Sequence, residues 1–142
     1  MMAENMAKET RTEQAAQPAS VLEVLLGADV PKPPEPVQYR CTRLSKAYGR
    51  PVVCTLRPLS RREANAVSLA TDPDVAIVLA GLAEPRMADP AVIRHVCGDA
   101  DKYTAEDALV GLFLPGEIAA MATIIQRLSG YLDTSFAAIK KN

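Results

Sequence analysis

The placement of proline constrains this chain more than any other sequence feature. Eleven of its 142 residues are proline. Each one fixes φ and lacks a backbone N–H, so it cannot sit in a helix interior or a central strand without breaking it. Four of them fall in Pro31-Lys32-Pro33-Pro34-Glu35-Pro36, which enforces an extended, polyproline-like connector. Others stand directly behind a polar residue. Asp72-Pro73 and Asp89-Pro90 read as helix starts, with a capping side chain and proline at the first helical position. Pro115 ends one helical pattern and opens the next.

Between these stops the periodicity assigns the elements. Residues 1–18 are polar with only small apolar residues between, and read as an N-terminal tail. Over 19–36, Ser20 caps a short apolar helix, Val21–Leu26, stopped by Gly27 and followed by the proline connector. A helix of that length is marginal alone and must dock on something. Residues 37–58 change period: Val37–Leu44 alternates imperfectly and Pro51–Arg57 is rich in β-branched residues. The two runs predict a β-hairpin whose loop, Ser45–Arg50, offers Gly49 for a positive φ. From 60 to 132 the chain reads as helices. Ser60 and Glu63 form a capping box for a helix to about Thr71. Further helices start at Asp72, Asp89 and Thr104. The last, Pro115 to Ser129, places Ile118, Met121, Ala122, Ile125 and Leu128 on one face. Beyond Gly130 a frayed helical continuation to Lys141 is expected, with 133–142 as a C-terminal tail. The fold class is therefore α+β, mainly α: a small N-terminal β-hairpin followed by four to five helices, with the domain spanning 37–132.

Composition narrows the function classes. At 49% apolar the chain can pack a core, but only 4% is aromatic and there is no tryptophan. The core must be aliphatic, and a stacking platform for single-stranded nucleic acid is lacking. No apolar run reaches the 18 or more residues of a membrane span, and the acidic N-terminus does not resemble a signal peptide. Cys41, Cys54 and Cys97 are odd in number and form no CxxC pair, which argues against structural zinc and for a reduced, cytosolic chain. The sole histidine, His95, lies two residues from Cys97. On a helix these two side chains do not face each other. Phosphate-binding glycine loops are absent from the sequence. No catalytic, metal or cofactor site is expected, and the chain reads as a binding module rather than an enzyme.

The net charge of −1 conceals an uneven distribution. Residues 1–39 sum to −3, residues 40–62 to +7 and residues 63–142 to −5. The cationic stretch is Arg40, Arg43, Lys46, Arg50, Arg57, Arg61 and Arg62. Three readings follow: contact with phosphates, docking on an acidic protein surface, or internal pairing with the acidic helices. The first is weakened by the acidic remainder and by the lack of a base-reading motif.

The order of segments resembles the XkdN-like phage tail assembly chaperones. The features that carry it are Val21–Leu26, the proline connector, Tyr39-Arg40-Cys41-Thr42-Arg43-Leu44-Ser45-Lys46 with its glycine turn, and Leu56-Arg57-Pro58-Leu59-Ser60. Gly81–Met87 is similar to a further family segment. The most specific match is Phe113-Leu114-Pro115-Gly116-Glu117-Ile118-Ala119 running to Leu128-Ser129-Gly130-Tyr131. The resemblance spans about residues 20–132. Cys54 and Ala64 stand where bulkier residues are typical, and the proline cluster is denser than usual.

The resemblance implies a non-enzymatic helper of viral tail assembly in the host cytoplasm, absent from the mature virion. Its client would be the tape measure protein, kept competent until tail tube subunits polymerise around it. The tail tube protein and further copies of the chain are secondary partners; neither a membrane nor nucleic acid is expected. Such a holdase needs adaptable apolar surface for an amphipathic client helix. Met87, Leu112, Phe113, Leu114 and Met121 are candidates, with plain core packing as the alternative for each. Glu117 and the arginines Arg40, Arg43, Arg57 and Arg61 are candidates for the charged part of a partner surface. The alternative function is a structural tail or baseplate subunit retained in the particle.

Overall fold

Polar residues placed just ahead of apolar runs decide where the helices begin. The computed structural model describes residues 20–132 and 135–139; the expected tail over 1–18 lies outside them. The chain divides into two compact units, 1–32 and 33–142. In the first, Ser20 Oγ accepts from Glu23 N–H at 3.1 Å and starts α1 (Val21–Leu26). Helix α1 buries none of its residues, and its five apolar side chains are 63–77% exposed.

The second unit runs β1 (Val37–Arg40), α2 (Thr42–Tyr48), β2 (Val53–Leu56), α3 (Arg61–Val67), α4 (Pro73–Gly81), β3 (Leu82–Glu84), α5 (Pro90–Cys97), α6 (Ala105–Leu112) and α7 (Pro115–Leu128). This is the α+β, mainly α architecture expected. The proline-led starts hold: Asp72 Oδ1 accepts from Val75 N–H at 3.4 Å, and Asp89 Oδ1 from Ala91 N–H at 2.9 Å. The capping boxes at Ser60–Glu63 and Thr104–Asp107 are both formed. At the head of α7 the Leu114 N–H donates to Glu117 Oε1 at 2.8 Å.

The sheet is antiparallel in the order β1-β2-β3. Val37 pairs with Leu56 and Arg40 with Val53, the expected pairing of the two strands. The connection between them differs from a plain hairpin loop. Helix α2 fills it because Leu44 is buried, while Gly49 ends the helix in the left-handed region at φ 71°. A third strand, β3, joins β2 with an irregular register near Leu56, directly after Gly81. Helix α3 stops at Val67, short of Thr71. The continuation beyond α7 is also corrected. Gly130 at φ 88° turns the chain, and residues 131–132 and 135–139 form no helix.

Helices α4 and α7 cross at the centre of the core, over Leu56, Val78, Leu109 and Ile125, which are completely buried or nearly so. Gly81 permits the approach: a Cβ there would lie 2.6 Å from Ile125 Cγ2. Gly111 does the same for α5 against α6, where a Cβ would lie 2.8 Å from Val96 Cγ1. These contacts seat the head of α7 beside β1 and β2.

Candidate functional site

Arg43, on α2, reaches across to the head of α7. Its Nε donates to Glu117 Oε2 at 2.9 Å, and one terminal nitrogen donates to Glu117 Oε1 and to the Leu112 carbonyl, each at 2.8 Å. Such a two-bond guanidinium–carboxylate pair fixes orientation as well as distance. The Cys41 thiol adds a weak 3.7 Å donation to Glu117 Oε2. The guanidinium, opposed by burial and helped by the Leu114 N–H, holds the Glu117 carboxyl down at about 2. Glu117 thereby caps α7 and ties it to the β1–α2 segment.

Next to this clamp lies an open apolar groove of about 250 Å³. One wall is the end of β1 and the start of α2, from Tyr39 to Thr42. The floor is Cys54, Leu56, Phe113 and Met121; the far wall is α7, through Ala120 and Ile124. The period of β2 explains the floor, since Cys54 and Leu56 point inward while Val53 is exposed. Burial pushes the Cys54 thiol up to about 11, so it stays protonated and acts as an apolar filler. At the rim, Arg40 is exposed and makes no salt bridge among the described residues.

The seven cations do not form one patch. Arg40, Arg43, Lys46 and Arg50 gather at the end of the sheet where Arg40 pairs with Val53, and Arg57, Arg61 and Arg62 lie past the opposite end of β2. Two of the seven are used internally. Arg43 holds Glu117, and Arg57 holds Glu63 through a 2.9 Å Nη1 to Oε1 bond and a second parallel one. Glu63 is held at about 2, chiefly by Arg57 and then by the Ser60 N–H. Internal pairing therefore accounts for part of the stretch, while Arg40, Lys46, Arg50, Arg61 and Arg62 remain exposed and outside those pairs.

Of the residues singled out in the sequence, the groove brings together Arg40, Phe113, Glu117 and Met121, with Arg43 behind Glu117. Phe113 and Met121 are core residues, at 3% and 7% exposure, that present only an edge to the groove. Arg57 and Arg61 lie elsewhere. Met87 is buried beside Leu79 and Leu82, away from the groove. Leu112 is half-buried and lines a second apolar depression between α2 and α5, and Leu114 is exposed. Sequence reasoning missed Ala120 and Ile124, which flank the apolar face of α7 and were legible from it. It also missed the 3.1 Å contact between Tyr48 Oη and His95 Nε2, which places the lone histidine beside a phenol on the rim of that second depression.

Among the described residues no group of His, Cys, Asp and Glu side chains is arranged to hold a metal ion. Nor is any single helix among them long and apolar enough to cross a membrane. Comparison of the chain with protein-family models, with curated proteins and with solved structures finds no match.

Proposed function

We propose that this chain is a tail assembly chaperone of the XkdN-like type, which binds the tape measure protein of a long-tailed phage and keeps it competent for tail tube polymerisation. The observation that carries the reading is the meeting of two distant segments. Tyr39–Lys46 and Phe113–Ala119, on which the resemblance chiefly rests, join through Arg43 and Glu117 and together frame one apolar groove. Shared participation in one surface is a reason for two separated motifs to occur together.

The groove suits the client's chemistry. An amphipathic helix lays apolar side chains at helical spacing into a trough of this kind, and its polar face meets a charged rim. Here the floor is aliphatic, thioether and phenyl, and the rim carries Arg40. Binding in the host cytoplasm, before particle completion, fits a chain whose three cysteines are all free. The chain does no chemistry on its client.

The test is co-expression of the full chain with the tape measure protein encoded beside it. A stable complex that keeps the client soluble is the expected result. Ala120→Glu, which puts a charge on the exposed wall of the groove, is expected to weaken that complex at least tenfold without unfolding the chain. Absence of a complex, with the client soluble regardless, overturns the reading. A stoichiometric amount of the chain in finished particles favours a structural tail subunit instead.

A further inference from the structure

Helix α1 has the ends of a stable helix and nothing to hold it. Ser20 caps its start and the Gly27 N–H bonds back to the Val24 carbonyl, yet Val21, Leu22, Val24, Leu25 and Leu26 are all exposed. Six residues cannot sustain a helix in water without burying an apolar face. We propose that the α1 helix of one copy of this chain docks in the β1–α7 groove of a second copy, the two arms being exchanged.

Three observations commit the occupant. The first is chemical fit. Helix α1 offers aliphatic side chains at i, i+3 and i+4, and the groove floor is Leu56, Phe113 and Met121. The second is charge. The one acidic side chain on α1 is Glu23, and the cation on the groove rim is Arg40, which makes no salt bridge among the described residues. The third is the connector. Pro31–Pro36 is a stiff rod of roughly 19 Å at the polyproline rise, and it runs into β1, on which the groove itself is built. A helix at the far end of such a rod reaches its own groove only by doubling back along the rod. It reaches a neighbour's groove with the arm extended. Exchange in both directions buries two arms per dimer and closes the assembly. The groove is also the one assigned above to a client helix, so arm and client would compete for it. The self-association itself does not depend on that assignment.

The experiment uses the full chain carrying Leu25→Cys and Cys97→Ser, expressed with and without nitrogen-15 and mixed before mild oxidation. The expected product is a covalent dimer whose cross-linked peptide joins the introduced thiol to Cys41 and carries mixed isotopes. In sedimentation without oxidation, the natural chain is expected to dimerise, and Leu22→Asp with Leu25→Asp to abolish the dimer. Those two positions are exposed, so the melting temperature of the body serves as the control for folding. Glu23→Arg is expected to weaken the dimer about fivefold, and adding Arg40→Glu to restore it. A monomer at every concentration, a cross-link within one chain, or a dimer indifferent to the α1 substitutions overturns the proposal.

Discussion

Arg43 and Glu117, 74 positions apart in sequence, are joined by two parallel hydrogen bonds of 2.9 and 2.8 Å. The same guanidinium also holds the Leu112 carbonyl, and the same carboxylate caps α7 through the Leu114 N–H. One pair thus connects the β1–α2 segment, the end of α6 and the start of α7. Arg43→Ala and Glu117→Gln are each expected to lower the melting temperature by a few degrees. The double variant should fall little further than the worse single one, because both remove the same interaction. Thermal melts of the four chains check this. Glu117→Ala also removes the cap of α7, a loss of about 0.5–2 kcal/mol.

Acid should loosen the fold in a defined window. Glu117 and Glu63 both titrate at about 2 when folded, against an ordinary value of 4.5. A depressed folded value means the unfolded chain takes up protons first as pH falls. The contribution of both groups is therefore complete above about pH 4.5 and is lost as pH falls towards 2. Both are partly solvated, so screening reduces the effect below what the full shift implies. Melting temperatures followed from pH 5 to pH 2 are expected to drop. Glu63→Gln and Glu117→Gln should each flatten part of that drop.

Gly81 is the tightest point of the core. Gly81→Ala forces a methyl to within 2.6 Å of the Ile125 side chain, where α4 crosses α7. Overpacking of this kind costs about 1–3 kcal/mol. Denaturant unfolding should show that loss, and Ile125→Val, which removes the terminal Cδ1 methyl, should recover part of it in the double variant.

The three thiols should separate by reactivity. Cys54 is buried, with its thiol pushed up to about 11, whereas Cys41 and Cys97 are partly exposed. Alkylation of the folded chain at neutral pH is expected to modify Cys41 and Cys97 first, with Cys54 reacting only on unfolding. Peptide mapping over time reads the order directly.

Much of this fold was legible because its signals are local. Ser60, Asp72, Asp89 and Thr104 each sit next to the backbone they cap, so helix starts could be read from a few consecutive residues. Helix α2 was not: its single buried side chain, Leu44, carries no periodicity in so short a segment, and Gly49 suits a hairpin loop equally well. Strand β3 is three residues long, too short for alternation, and exists because Leu82 meets Leu56. The groove was half legible. Phe113, Glu117 and Met121 stand out on α7 and the turn before it, but nothing local reveals that Arg43 waits for Glu117. The division of the cations also depends on strand register, which assigns Arg40 and Arg57 to opposite ends of β2.

The central claim, that this groove holds a client helix, is tested most directly by co-purification of the full chain with the tape measure protein, comparing the natural sequence with Ala120→Glu. The account predicts a stable complex with a soluble client, and at least tenfold weaker recovery of the client with the substituted chain although its melting temperature is unchanged. Recovery that is equal for the two chains, or no association with a client that is soluble by itself, would contradict it.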